Sequence, residues 1–142
     1  MSIIVYTDIV GDLFHYGHAE LFKKCRQFGD VLYVGVCSDE LVASYKRTPV
    51  LTLEERVRII ESCQFVDRVF PACPSPVTRE FIEEHHIDVV VRGGDMSDEA
   101  SINRWYAVPQ EMNILNFVPY TQGISTSEIL GRIKKRVLAG EL

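Results

Sequence analysis

Short runs of β-branched and aromatic residues alternate along the chain with segments whose apolar positions recur at helical spacing. Ile3-Ile4-Val5-Tyr6 is the first run, and the polar pair Thr7-Asp8 reads as the turn that ends it. Across residues 17–28, Leu21, Phe22, Cys25 and Phe28 fall on one helical face, and Gly29-Asp30 supplies a stop. Residues 31–37 are almost continuously apolar, the pattern of a strand covered on both faces. Residues 38–49 read as a polar connection. Thr52, with Glu55 three positions on, carries a capping-box signature for a helix that includes Val57, Ile59, Ile60 and Cys63.

The second half continues the pattern. Residues 66–70 predict a third strand, Pro71, Pro74 and Pro76 break the chain, and Thr78 opens a helix to His85. Val89-Val90-Val91 is a fourth strand closed by Gly93-Gly94-Asp95. Residues 97–108 predict one helix, 114–118 a fifth strand, and 125–139 a last helix. Five strand–helix alternations with short connections and no internal repeat imply an α/β fold, a five-stranded parallel sheet with helices on both faces. Such sheets take ligands outside the carboxyl ends of their strands, so candidate sites should follow the strands.

At 142 residues the chain is read as one domain, 1–142, against a usual ~100–200 residues per domain. Its net charge of −5 argues against a nucleic-acid partner, which asks for a basic excess. A small anionic ligand needs only a few cations and backbone amides. Cys25, Cys37, Cys63 and Cys73 stand far apart with no Cys-x-x-Cys pair, and read as buried reduced thiols suited to a reducing compartment. No apolar run reaches the ~18 residues of a membrane span. The first strand begins too near Met1 for a signal peptide. The expectation is a cytoplasmic protein with no membrane span.

Four clusters carry candidate chemistry. Asp12-Leu13-Phe14-His15-Tyr16-Gly17-His18 separates the first strand from the first helix. His15 and His18 share a face of the first helical turn, and Gly17 lets a ligand approach the backbone. Two imidazoles beside free helix N–H groups suit a multiply charged anion. Their N–H groups could donate to oxygens that gain charge as a phosphorus is attacked, one such donor being worth ~2.7–4 kcal/mol. The competing readings are a half-formed zinc pair or two surface histidines, and no Cys/His set completes a metal site.

Gly123-Ile124-Ser125-Thr126-Ser127-Glu128 follows the fifth strand. Ser125 and Glu128 have capping-box spacing, and Ile129, Leu130, Ile133, Val137 and Leu138 form the expected buried face. The segment is either a cap alone or, with its glycine and three hydroxyls, a cradle for triphosphate oxygens. Lys46-Arg47 is a solvated loop or a phosphate clamp. Arg92-Gly93-Gly94-Asp95 offers glycines for close approach and Asp95 for a ribose hydroxyl or a metal-bound water. His85-His86, at a helix end, read as structural, and Trp105-Tyr106 as core packing ahead of a base platform.

These residues resemble the cytidylyltransferase family. Asp12 with His15-Tyr16-Gly17-His18 is similar to its Asp-x-x-His-x-Gly-His motif. Gly123-Ile124-Ser125-Thr126-Ser127 is similar to its Arg-Thr-(Glu/Gln)-Gly-Ile-Ser-Thr-(Thr/Ser) motif. Between them, Phe65-Val66-Asp67-Arg68-Val69 and Glu54-Glu55-Arg56 resemble further family elements, so the likeness spans nearly the whole chain in order. It implies a Rossmann-like fold, a homodimer, and Mg²⁺-assisted attack of a phosphorylated small molecule on the α-phosphorus of CTP. By position, His15, His18 and Lys46 would be catalytic, with no metal ligand among the protein's residues. Val10, Gly11, Asp12, Gly17, Arg92, Asp95, Gly123, Ile124, Ser125, Thr126 and Ser127 would hold the nucleotide, and Asp12, Lys46 and Arg47 the acceptor.

Three positions depart from the family pattern. Ile9 stands where many members have glycine, Gly11 where they have Phe or Tyr, and Tyr120 replaces the arginine that opens the second motif. Arg47 or Arg92 would then supply the missing phosphate cation. The His-Tyr-Gly-His form, the Thr121-Gln122-Gly123 run and the Pro71-Ala72-Cys73-Pro74 segment look closest to phosphoethanolamine and phosphocholine members, then to glycerol 3-phosphate members. Arg92-Gly93-Gly94-Asp95 is also similar to sugar-phosphate adenylyltransferases. An ATP-dependent transferase and a weakly catalytic nucleotide-binding homologue are the alternatives.

Overall fold

A computed structural model describes residues 2–142. Strands β1 (Ile4–Ile9), β2 (Val31–Val36), β3 (Arg68–Pro71), β4 (Val89–Gly93) and β5 (Leu115–Val118) form one sheet in the order β3-β2-β1-β4-β5. All four pairings are parallel. The helices are α1 (Tyr16–Cys25), α2 (Asp39–Tyr45), α3 (Leu53–Glu61), α4 (Arg79–Glu84), α5 (Glu99–Trp105), α6 (Ala107–Glu111) and α7 (Thr126–Leu138). This is the α/β architecture that the alternation of periods implies.

The strands alternate side chains between two buried layers. Val5, Leu32, Val34, Val36, Val91 and Val118 pack under α1 and α3 with Phe22, Cys25, Val57 and Ile60. Tyr6 and Val90 point the other way, against Val77, Ile82 and Ile87 around α4. All four cysteines are free thiols, with Cys63 half-buried and the others buried. Among the described residues no helix is long and apolar enough to cross a membrane.

Four expectations need correction. β1 does not stop at Tyr6; Thr7 stays in the strand because its Oγ1 donates to Val91 O at 2.8 Å across the sheet. The connection over residues 38–49 contains α2, capped by Ser38, whose side chain accepts the Leu41 N–H. The single helix over residues 97–108 is two, broken at Tyr106 (φ −130°, ψ 21°). Finally, α7 has no buried residue, and Ile133, Val137 and Leu138 are exposed rather than packed.

Candidate active site

The strand order reverses between β1 and β4, where neighbouring connections leave in opposite directions and open a crevice. A cavity of about 850 Å³ lies there, lined by Asp8, His15, His18, Arg92, Tyr106 and the 119–128 turn among others. A smaller one of about 340 Å³ is lined by Val10, Gly11, Asp12, Arg47 and Pro49. The two share Ile9, His18, Lys46, Tyr120 and Thr126, so they meet as lobes of one cleft.

The imidazoles are held by the helix they begin. His15 is the N-cap of α1, and its Nδ1 accepts the Gly17 N–H at 3.1 Å. His18 Nδ1 accepts the His15 N–H, also at 3.1 Å. Each ring thus spends its Nδ1 lone pair on an orphan backbone donor, which places the proton of the neutral ring on Nε2. The rings stack at 3.9 Å between centroids. A Cβ on Gly17 would sit 2.8 Å from His15 Cε1 and 3.1 Å from Ile124 Cγ2, so only glycine lets the ring and the distant turn close on this spot.

The second turn meets the first directly. Thr126 Oγ1 donates to Asp12 O at 3.0 Å and stands 3.3 Å from His15 Nε2, whose N–H points to it as donor. Ser125 caps α7 by accepting the Glu128 N–H at 3.1 Å. Segments more than a hundred residues apart therefore present two Nε2–H groups, two further hydroxyl-bearing residues and a helix start to one space.

Burial pushes the His15 imidazole below its ordinary value. His18 is pushed down to about 4, by burial first and by His15 second, with Asp12 opposing. At neutral pH both rings are uncharged donors. The unfolded chain, with histidine near 6.5, takes up its proton first as pH falls, so stability is intact above that value and lost toward pH 4. Between pH 7 and 5 the wild type should lose about 2 kcal/mol more than His18→Gln, which takes up no proton. Urea unfolding at both pH values checks this; parallel losses would contradict it.

The cations complete the rim. Lys46 caps the carboxyl end of α2, exposed at the junction of the lobes. Arg92 Nη2 bonds Asp98 at 3.2 Å and its guanidinium lies 5.3 Å from the Tyr106 ring centroid. Arg92 Nη1 and Arg47 Nε are buried without a partner among the described residues. An unpaired buried donor is costly, and both arginines belong to the cleft wall.

Two acidic residues expected at the ligand have their carboxylates engaged by the protein, Asp12 in the wall of the smaller lobe and Asp95 outside both lobes. The Asp12 carboxylate, 3% exposed, accepts the Val50 and Leu51 N–H groups at 2.8 and 2.9 Å and so ties two loops together. Asp95 lines neither lobe; it is exposed and turns back on Ser97, accepting from that residue's N–H and hydroxyl.

Asp8, which the local pattern reads as part of a turn, belongs to β1. It is the strand's next-to-last residue and lines the larger lobe, where its carboxylate accepts from Tyr106 Oη at 2.6 Å. Burial pushes its pKa up, against the Tyr106 bond and the Arg92 charge. Trp105 and Tyr45, 5.4 Å apart between ring centroids, line the same lobe. The available signal was an acid at the carboxyl end of an otherwise apolar central strand.

A family model described as Cytidylyltransferase-like matches residues 11–132. The ethanolamine-phosphate cytidylyltransferase of Dictyostelium discoideum is 40% identical over 135 residues, covering 92% of this chain and 37% of that protein. Choline-phosphate cytidylyltransferase A of Rattus norvegicus is 37% identical over 131 residues, covering 91% of this chain and 36% of its own. The chain spans little more than a third of the length of these curated relatives. Among solved structures, the lipopolysaccharide core biosynthesis protein from Thermoplasma volcanium superposes with a TM-score of 0.64 at 23% identity, over 87% of this chain and all of that one. Pantothenate synthetase from Thermus thermophilus gives 0.57 at 12% identity, over 91% of this chain and 61% of its own, a likeness of fold. With a family match over most of its length and relatives this similar, the chain belongs to the cytidylyltransferase-like family.

Proposed function

We propose that this chain transfers CMP from CTP to a phosphorylated amino alcohol, releasing pyrophosphate. The observation that carries the proposal is the 3.3 Å approach of Thr126 Oγ1 to His15 Nε2, which joins both anion-binding turns across one cleft. CTP enters as its Mg²⁺ complex, the metal being carried by the triphosphate. The Ser125 and Ser127 hydroxyls and the free N–H groups at the α7 N-terminus cradle its outer phosphates, with Thr126 holding the turn against Asp12 and His15. His18 donates from Nε2 to the oxygens around the α-phosphorus, where charge grows in the transition state, and His15 shares its Nε2–H between those oxygens and Thr126. Lys46, Arg47 and Arg92 draw the acceptor phosphate into line. One of its oxygens forms a bond to the α-phosphorus while the bond to the bridging oxygen of pyrophosphate breaks. No covalent enzyme intermediate is needed; positioning and charge stabilisation suffice.

The larger lobe supports an acceptor that carries an ammonium group. Asp8, bonded by the Tyr106 hydroxyl and held high in pKa by burial, brings an acid to a wall that Tyr106, Trp105 and Tyr45 line. An acid beside an aromatic wall suits a cation better than a polyol. An ammonium there would share the rings with Arg92 and Arg104, whose guanidiniums already lie over Tyr106, Tyr45 and Trp105. Phosphoethanolamine and phosphocholine are therefore favoured, with glycerol 3-phosphate next. Each of four NTPs, with Mg²⁺, is to be incubated with these three acceptors and with sugar phosphates, and pyrophosphate measured. Turnover is expected with CTP and an amino-alcohol phosphate. Turnover with ATP alone would reassign the base, and CTP binding without any product would make the chain a nucleotide-binding homologue.

A further inference from the structure

Tyr120 is an aromatic ring with a rigid backing and a free face. It follows β5 and is 65% exposed, yet its ring lies across the turn that ends β4. A Cβ on Gly93 would come within 3.0 Å of Tyr120 Cε1 and 3.2 Å of Cδ1. A Cβ on Gly94 would come within 3.3 Å of Cε2 and of Oη. The ring therefore spans both residues, and a side chain at either position would make it shift. Gly94 also has φ of 114°, a conformation that side chains disfavour.

The support is anchored at both ends. Gly94 N–H donates to Val118 O at 2.8 Å, and Lys24 Nζ donates to Pro119 O at 3.0 Å, one residue before the ring. Tyr120 lines both lobes of the cleft. An exposed ring at a cleft mouth, braced on bare backbone, is preorganised to receive a flat partner.

We infer that Tyr120 is the stacking platform for the nucleobase of the triphosphate. The inference rests on the proposed nucleotide site. There, the hydroxyl turn and imidazoles take the phosphates, and Asp8 with its aromatic neighbours takes the acceptor. The wall at the ends of β4 and β5 is left for the nucleoside. The family motif has an arginine at this position, and a phenol ring does not replace its charge. What tyrosine keeps of arginine is a planar surface, and a base stacks on it whatever its edge. Phosphate binding then rests on the remaining cations and the helix start, and Tyr120 contributes to affinity only through the base.

Calorimetry on the purified chain tests this with two probes, CTP and inorganic tripolyphosphate, the latter lacking a base. Tyr120→Phe should keep the CTP Kd within about twofold, while Tyr120→Leu should weaken it roughly 5- to 150-fold, the range for losing one base–aromatic stack. The tripolyphosphate Kd should be unchanged in both variants. Equal weakening of both probes, or no weakening of CTP by Tyr120→Leu, would overturn the platform. Thermal melting of each variant separates either result from loss of fold. A wild type that binds tripolyphosphate but not CTP would overturn the nucleotide reading itself, and the platform with it.

Discussion

Replacing His18 by alanine should lower kcat/KM for the proposed transfer by about 10²–10³-fold, the expected cost of one preorganised donor to a developing oxyanion. The geometry makes this ring a donor rather than a base or a metal ligand. Its Nδ1 is committed to the His15 N–H, it is stacked on a second imidazole, and its pKa lies near 4. A ring already neutral at working pH is poorly suited to hold a proton, and well suited to present Nε2–H to an anion. His18→Gln, whose amide nitrogen reaches about as far as Nε2, should recover part of the loss, which a purely structural role would not predict. His15→Ala should cost at least as much, because it removes the α1 cap and the contact to Thr126 as well. Steady-state pyrophosphate release, with circular dichroism to show retained fold, is the measurement. Unchanged turnover in the alanine variants would remove both histidines from the chemistry.

Most of the scaffold is legible in the sequence because burial imposes a period. All five strands can be read in order, and the Thr52–Glu55 capping box is present as the spacing predicts, with both reciprocal bonds formed. The departures have separate physical causes. α2 buries only Val42, so it shows no apolar stripe; Ser38 followed by Asp39 and Glu40 is its signal. Tyr106 breaks the predicted long helix where its hydroxyl bonds Asp8, a partner 98 residues away that no local pattern records. α7 has the period of a packed helix but no element over its apolar stripe, since periodicity registers a face and not what covers it.

The site is legible where chemistry needs particular residue types at fixed spacing, as in the two turns. It is illegible where one acid has two possible fates. Asp12 and Asp95 sit in polar turns like ligand-binding carboxylates, yet one is consumed by backbone N–H groups and the other by Ser97. Asp8, in a stretch that reads as the turn ending a strand, is a half-buried acid in the cleft wall. Direction is a tertiary property: the pleat decides which strand residue meets the opening, and the length of β1 is what the local pattern understates.

Removing the Arg56 side chain should produce a larger loss of stability than any other change considered for this chain. The side chain is 0% exposed. Its Nη1 donates to Val10 O at 2.6 Å and Cys37 O at 2.8 Å, its Nε donates to Leu51 O at 3.2 Å, and its Nη2 pairs with Asp39. One guanidinium thus holds the ends of β1 and β2, the start of α2 and the loop before α3. Arg56→Met keeps the length and apolar stem, but strands three carbonyls and a carboxylate. Asp39 is 36% exposed and regains water, but each buried carbonyl left without its donor costs about 1–3 kcal/mol, against a total stability of about 5–15 kcal/mol for most domains. Arg56→Lys should recover only part of this, because one ammonium does not reproduce the planar fork. Urea unfolding at pH 7 measures both, and a methionine variant within about 1 kcal/mol of wild type would refute the assignment. The same guanidinium fixes the loops that carry Gly11-Asp12 and Lys46, so in a folded lysine variant KM should rise more than kcat falls. The Glu54-Glu55-Arg56 element then acts on the cleft from behind, by holding its two walls at a fixed distance.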